Sequence, residues 1–342
     1  RRDGHRKNER RMKIFRCKKA YFLLLLFLIG NWSLNIDESE AWGFWAHQRI
    51  NQMAVFTLPP QMISFYKENI GFITQHAVDP DKRRYSDPNE APHHFIDLDH
   101  YGTYPYDSLP RRWDDAVKKY GEDSLDAHGI VPWYIPLELS RLTEAFKQKD
   151  KWKILHYSAD IGHYIADAHV PLHCTHNYNG QLTNQVGIHA FWESRVPELF
   201  GDNYDYFVGK ADYVQHPSEK IWSVVLESNS KVDSVLSAEK TLSQQFPSDQ
   251  KYSIEQHGSQ TVRVYSEAFS EKYQDMLNNM EERRMREAII TVGSFWYTAW
   301  VNAGKPDLNE IKDSPVSPQD DQQLQVMDKA WRDGKIIGRP EE

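Results

Sequence analysis

The chain has 342 residues, a formal net charge of −8, 26% charged and 40% hydrophobic residues, and two cysteines. A chain this long buries a sizeable core without cross-links, and with only Cys17 and Cys174 a disulfide framework and a zinc site built on thiolates are both excluded. The acidic balance gives no global field that would attract polyanions, although bound divalent ions can still make one site locally positive.

Residues 1–41 read as an export segment outside the fold. After Met12, the basic residues Lys13, Arg16, Lys18 and Lys19 precede the apolar run AYFLLLLFLIG at 20–30, which is short for a membrane span. SEA at 39–41 is a small-x-small cleavage signal, and residues 1–11 precede the first Met and read as untranslated sequence. The expectation is an exported protein, secreted or periplasmic, cut near Ala41 and starting at Trp42. An uncut signal anchor is the alternative. Cleavage removes Cys17, leaves Cys174 alone and, because the segment is basic, leaves the remainder more acidic.

The stretch WAHQRINQMAVFTL has apolar residues at helical spacing and ends at Pro59 and Pro60. Residues 99–125, rich in Tyr, Pro, Asp and Gly, read as a long surface excursion. From Pro136 to Val170 the pattern gives two helices meeting near Lys149 and Asp150. In the second, His163 and Asp167 are four apart and share a face; Pro171 then ends the helix, with His173 two residues on. THNYNGQLTNQ, at 175–185, is polar and expected to border a pocket. GIHAFWESRV sets His189 and Glu193 four apart. Over 281–303, one broad face carries Met285, Ala288, Ile289, Val292, Phe295, Trp296, Ala299 and Trp300, stopped by Gly304 and Pro306. Residues 305–342 read as a loosely attached polar tail with one short helix near 323–333. With strands scarce and neither repeat nor linker evident, the prediction is all-α: a single large helical domain over 42–304.

Imidazoles and carboxylates in this number suit zinc. A His-x3-Asp or His-x3-Glu pair lets one helix offer two ligands to one ion. One such pair alone is more often a buried hydrogen-bonded pair. Two pairs, together with His173, His47 and the cluster Asp79, Asp81, Asp87, His93, His94, Asp97, Asp99 and His100, point to several ions. His76, His100, His156, His169 and His176 read as surface or hydrogen-bonded residues. Phe44, Trp45, Phe191 and Trp192 fit either a substrate wall or, for two of the four, core.

In order, Trp-Gly followed by His47, an Asp upstream of a His-aromatic pair, His-x3-Asp-x5-His and His-x3-Glu resemble the zinc-dependent phospholipase C family and its sister group, the single-strand-specific nucleases of the S-one/P-one type. The likeness runs from Trp42 to Glu193, and REAIITVGSFWYTAWVNAGKP resembles the family's closing helix. The resemblance implies an all-helical phosphodiesterase with three zinc ions. Asp79, His94, His163 and Asp167 would hold one. Asp167 would bridge to a second, held by His47 and by the amine and carbonyl of Trp42. His173, His189 and Glu193 would hold the third. It also favours Asp79 over Asp81 by family spacing, and His94 over His93 because HFID follows. The nucleophile would be a hydroxide shared by the paired ions, with Asp79 as proton acceptor.

The substrate would be a phosphodiester, either a phospholipid headgroup at a membrane surface or single-stranded nucleic acid. Glu193 in place of Asp and the lack of disulfides lean to phospholipase C. Asp97, in HFID, leans to a nuclease, where it would meet the base. A non-catalytic zinc-binding helical protein is the third reading. No protein partner is implied, and a monomer is expected.

Overall fold

The computed structural model describes residues 43–257, 260–315, 318–334 and 336–339. They belong to one body that is 67% helix and 3% strand, within a unit spanning Ala41–Glu342. The readings for residues 1–41 and Trp42 fall outside the described residues. The helices of ten residues or more are α1 (Phe44–Ala54), α2 (Val131–Gln148), α3 (Lys151–His169), α4 (Pro217–Asn229), α5 (Val232–Gln245), α6 (Glu267–Met276), α7 (Met280–Asn302) and α8 (Pro318–Asp333). Shorter helical turns connect them, and among the described residues β1 (Tyr252–His257) and β2 (Gln260–Tyr265) pair antiparallel as the one hairpin, between α5 and α6.

The break between α2 and α3 follows from local chemistry. Lys149 takes a left-handed φ of 54° to close α2, and the Asp150 side chain accepts the Lys153 N–H at 3.1 Å to start α3. At the other end of α3, Val170 is extended, and the 3-10 turn Pro171–Cys174 begins at a residue with no N–H to continue the helix. His173 is thereby held in the turn just after α3.

The predicted face of α7 is buried throughout, from Met285 to Trp300, and α7 packs on α1, α2 and α3. Trp296 stacks on Tyr66 with ring centroids 5.0 Å apart and donates its indole N–H to the Ser158 carbonyl at 2.9 Å. Between α1 and α3, Gly162 has no Cβ, and one placed there would stand 2.0 Å from Asn51 Oδ1. The glycine lets α1 approach, and Asn51 donates to the Ala159 carbonyl at 3.0 Å. This approach lays the His47 ring over His163, with centroids 4.1 Å apart.

Two expectations are corrected. Residues 99–125 are not a bare excursion: they form helices Trp113–Tyr120 and Glu122–Ala127 and bury Tyr101, Tyr106, Leu109, Ala116 and Leu125. The tail is docked rather than loosely attached. Leu308 and Ile311 enter the main core, and α8, longer than predicted, packs on the turn Asp79–Arg83. There Asp328 pairs with Lys82 at 3.0 Å, and Trp331 meets both Phe44 and the Lys82 ammonium. A few apolar anchors in a polar sequence suffice to fix both segments.

Candidate metal centre

Eight side chains from six segments converge on one buried cluster, and two carboxylates organise it. Asp167 of α3 lies 3.2 Å from His163 Nε2, 3.0 Å from His94 Nδ1 and 3.4 Å from His47 Nε2. Glu193 lies 2.8 Å from His189 Nε2, 3.2 Å from His173 Nε2 and 3.3 Å from His47 Nε2. His47 of α1 therefore joins the two halves. Asp81 completes the set, 3.6 Å from His163 Nε2 and 3.8 Å from His94 Nδ1. The residues fall into overlapping triads able to hold ions: His94, His163 and Asp167; His47, Asp81 and His163; His47, Asp167 and Glu193; and His173, His189 and Glu193.

The local fold aims these groups. Glu193 sits in the π-helical turn Phe191–Arg195, just after the short helix Ile188–Ala190 that carries His189. Pro197 has no N–H to give to the Glu193 carbonyl, which favours the widened turn, and Val196 bonds back to Phe191 instead. Three imidazoles have their outward nitrogen committed. His163 Nδ1 donates to the Ala77 carbonyl at 2.9 Å, His173 Nδ1 to the His94 carbonyl at 2.7 Å, and His189 Nδ1 to the Tyr178 carbonyl at 3.2 Å. This fixes the tautomer and leaves each Nε2 lone pair facing the cluster, as metal-ligating histidines do.

The donor set fits cations. His163 Nε2 and His94 Nδ1 stand 3.1 Å apart beside the Asp167 carboxylate. His189 Nε2 stands 2.8 Å from Glu193 yet is not aligned for a hydrogen bond, as when two atoms face a shared third centre. Such a crowd needs positive charge. Burial disfavours charged His94, but its hydrogen bonds to Asp167 and Glu90 outweigh this and raise its pKa to about 9. Burial likewise opposes charge on Asp167 and Glu193, yet the neighbouring histidines hold both well below the usual carboxylate range.

Of the ligands expected from sequence, His47, His94, His163, Asp167, His173, His189 and Glu193 meet in this cluster, and Trp42 lies outside the described residues. Asp79 does not join it. The Asp79 carboxylate is turned to His76 Nδ1 at 2.7 Å and to Lys82 at 3.9 Å, and Asp81 stands in the cluster instead. Side chains two apart on a helical turn point about 200° from each other, so only one of the pair can face the cluster. Asp79 is therefore not placed to accept a proton there.

Glu90 is a supporting residue that the sequence reading missed. It lies 3.4 Å from His94 Nε2, accepts from Tyr164, and is paired with Arg83 at 3.1 Å. Burial opposes its charge, but Arg83 holds its carboxyl far below the ordinary range. Its spacing of four from His94 runs into the 3-10 turn Ala91–His94, where sequence spacing does not fix direction.

Phe191 and Trp192 are core, while Phe44 faces α8 and Trp45 lies under the Arg49 guanidinium at 4.8 Å. The segment 175–185 does border the cluster: Tyr178 supplies the carbonyl behind His189, and Asn179 accepts the Gly187 N–H at 2.8 Å. A cavity of about 20 Å³ beside His47 and Glu193, also lined by Glu281 and Arg284, has room for about one water.

No protein-family model matches the chain, and no curated protein matches it either.

Proposed function

We propose that the protein is a zinc-dependent phosphodiesterase, most like a phospholipase C, that hydrolyses a phosphoester bond at the buried cluster. One observation carries this reading: two carboxylates, Asp167 and Glu193, face five histidines in overlapping triads joined at His47. A lone structural zinc needs four ligands and no shared ones. Overlapping triads instead suit adjacent ions, which when bound would supply a water acidified toward neutrality and a Lewis acid for a phosphoryl oxygen.

His94, His163, Asp167 and Asp81 would hold one ion, His173, His189 and Glu193 another, and His47 with Asp167 a third alongside any ligand from Trp42. Three carboxylates against three dications leave the site cationic, as an anionic phosphodiester requires. The backbone carbonyls of Ala77, His94 and Tyr178 and the Glu90 carboxylate keep the imidazoles oriented, so that little reorganisation accompanies reaction.

A second reading, a single-strand nuclease, is favoured by a different feature. The Arg339 guanidinium lies 4.1 Å from the Phe95 ring centroid and 3.5 Å from that of Tyr178, and donates to Asp97 at 2.7 Å. A slot that clasps one planar group between two rings suits a base. The test offers the purified protein phosphatidylcholine and single-stranded DNA in parallel, each with and without chelator. Chelator-sensitive release of phosphocholine is expected. Cleavage of DNA alone would favour the second reading, and no turnover of either by zinc-loaded protein would leave a binding protein.

A further inference from the structure

A second group of donors shares no residue with the ligands above: Asp97, three residues after His94, with His128 and His176. Asp97 Oδ2 is 3.2 Å from His176 Nδ1 and 3.4 Å from His128 Nδ1. The contact to His128 is long for a hydrogen bond. Both match the edge of a tetrahedron built on metal bonds of 2.0–2.1 Å, which is about 3.3 Å. The three donors are held in place by the fold. The Asp97 N–H donates to the His128 carbonyl at 2.8 Å, the His176 N–H donates to Asp99 at 2.9 Å, and His100 stacks on His128 with centroids 3.4 Å apart. Asp97 itself is 2% exposed, whereas His176 is open to solvent, so an ion can enter and keep a free coordination position.

The other oxygen of Asp97 is engaged by the tail. Arg339 Nη1 donates to Asp97 Oδ1 at 2.7 Å, and the segment leading to it is tied down by the Ile337 N–H on the Arg84 carbonyl at 2.8 Å and by Arg84 on the Arg339 carbonyl. Together with α8 on Phe44 and Lys82, the tail runs beside residues adjacent in sequence to Asp81 and His94. A dication on Oδ2 and a guanidinium on Oδ1 would share one carboxylate and repel each other.

We propose that Asp97, His128 and His176 form a further divalent-cation site, of the borderline kind that takes zinc, and that its ion and Arg339 compete for Asp97. Filling the site loosens the end of the tail, and seating Arg339 weakens the ion.

The experiment titrates zinc into protein whose tightly held ions are already in place, by calorimetry and metal analysis. One further ion of lower affinity is expected in the native protein. It should be absent from the His128→Ala/His176→Ala double variant, whose partly exposed side chains leave the core intact. Arg339→Ala should tighten that ion about three- to tenfold, the scale of removing one partly exposed like charge. Hydrogen exchange over 328–334 and 336–339 should rise on adding zinc to the native protein and not to the double variant. Equal zinc uptake by the native protein and the double variant overturns the site. Unchanged affinity in Arg339→Ala, or tail exchange indifferent to zinc, overturns the competition. The buried cluster is counted separately by its tightly held ions, so failure there leaves this result legible, and the reverse.

Discussion

Asp79 and Asp81 are two positions apart, and the turn that carries them sends one to His76 and the other to His163. Asp81→Asn should therefore lower zinc retention under mild chelation, whereas Asp79→Asn should leave the zinc count unchanged and cost stability through its pair with His76. Metal analysis of both variants separates the two residues, and a loss confined to Asp79→Asn would reverse the assignment. Asp167 touches three histidines and belongs to two triads, while His173 belongs to one. Asp167→Asn should thus release more zinc than His173→Ala, because an uncharged amide neutralises neither ion; equal losses would argue against a shared carboxylate. Legibility at this scale follows the same geometry. His163 with Asp167, and His189 with Glu193, could be read because one helix fixes a spacing of four. Asp81 and Glu90 sit in short turns between Pro80 and Pro92, where spacing in the sequence does not fix direction in space.

The elements legible in sequence were the ones with continuous apolar faces, α3 and α7 above all, and the Lys149–Asp150 junction between α2 and α3. The π turn was not legible, since nothing but Pro197 marks it. The tail and the segment 99–125 were misread because their anchors are scattered in polar sequence: Leu308, Ile311, Met327 and Trp331 in one, Tyr101, Tyr106, Leu109, Ala116 and Leu125 in the other. The approach of α1 to α3 turns on Gly162. A methyl there would meet the Asn51 amide, which is itself fully buried, so Gly162→Ala should cost about 1–3 kcal/mol by overpacking and should separate His47 from His163. Denaturant melts report the stability and metal analysis the separation. Adding Asn51→Ala should recover part of the lost stability by making room; if it recovers none, the clash is not the cause.

Across the whole molecule, stability couples to charge in two ways. Glu281 on α7 is 3% exposed, and burial raises its pKa to about 8. The folded chain thus keeps this proton where the unfolded chain, with an ordinary carboxyl, has lost it. Unfolding free energy should fall as pH rises from about 4.5 to about 8, by something on the order of 4 kcal/mol at about 1.4 kcal/mol per pKa unit. Glu281→Gln should flatten that slope in urea melts run across the range, and an unchanged slope would place the titration elsewhere.

The second coupling runs through the ions. The cluster draws its ligands from α1, the turn Asp79–Arg83, the turn Ala91–His94, α3, the turn Pro171–Cys174 and the segment Ile188–Arg195. The ligands are spread from His47 to Glu193, so bound ions act as cross-links that the unfolded state cannot form. An ion present at a thousand times its dissociation constant stabilises by about 4 kcal/mol, and in a chain of this size about 1 kcal/mol moves the midpoint by some 2–4 °C. Chelation that strips the cluster should therefore lower the melting temperature by about 10 °C or more and should expose the imidazole–carboxylate crowd to its own protons. Zinc should restore the midpoint; calcium should not, because imidazole nitrogens suit zinc and a calcium ion takes oxygen donors. Scanning calorimetry with parallel metal analysis reads both quantities. A midpoint that stays in place while the zinc leaves would mean that the six segments are held by packing alone.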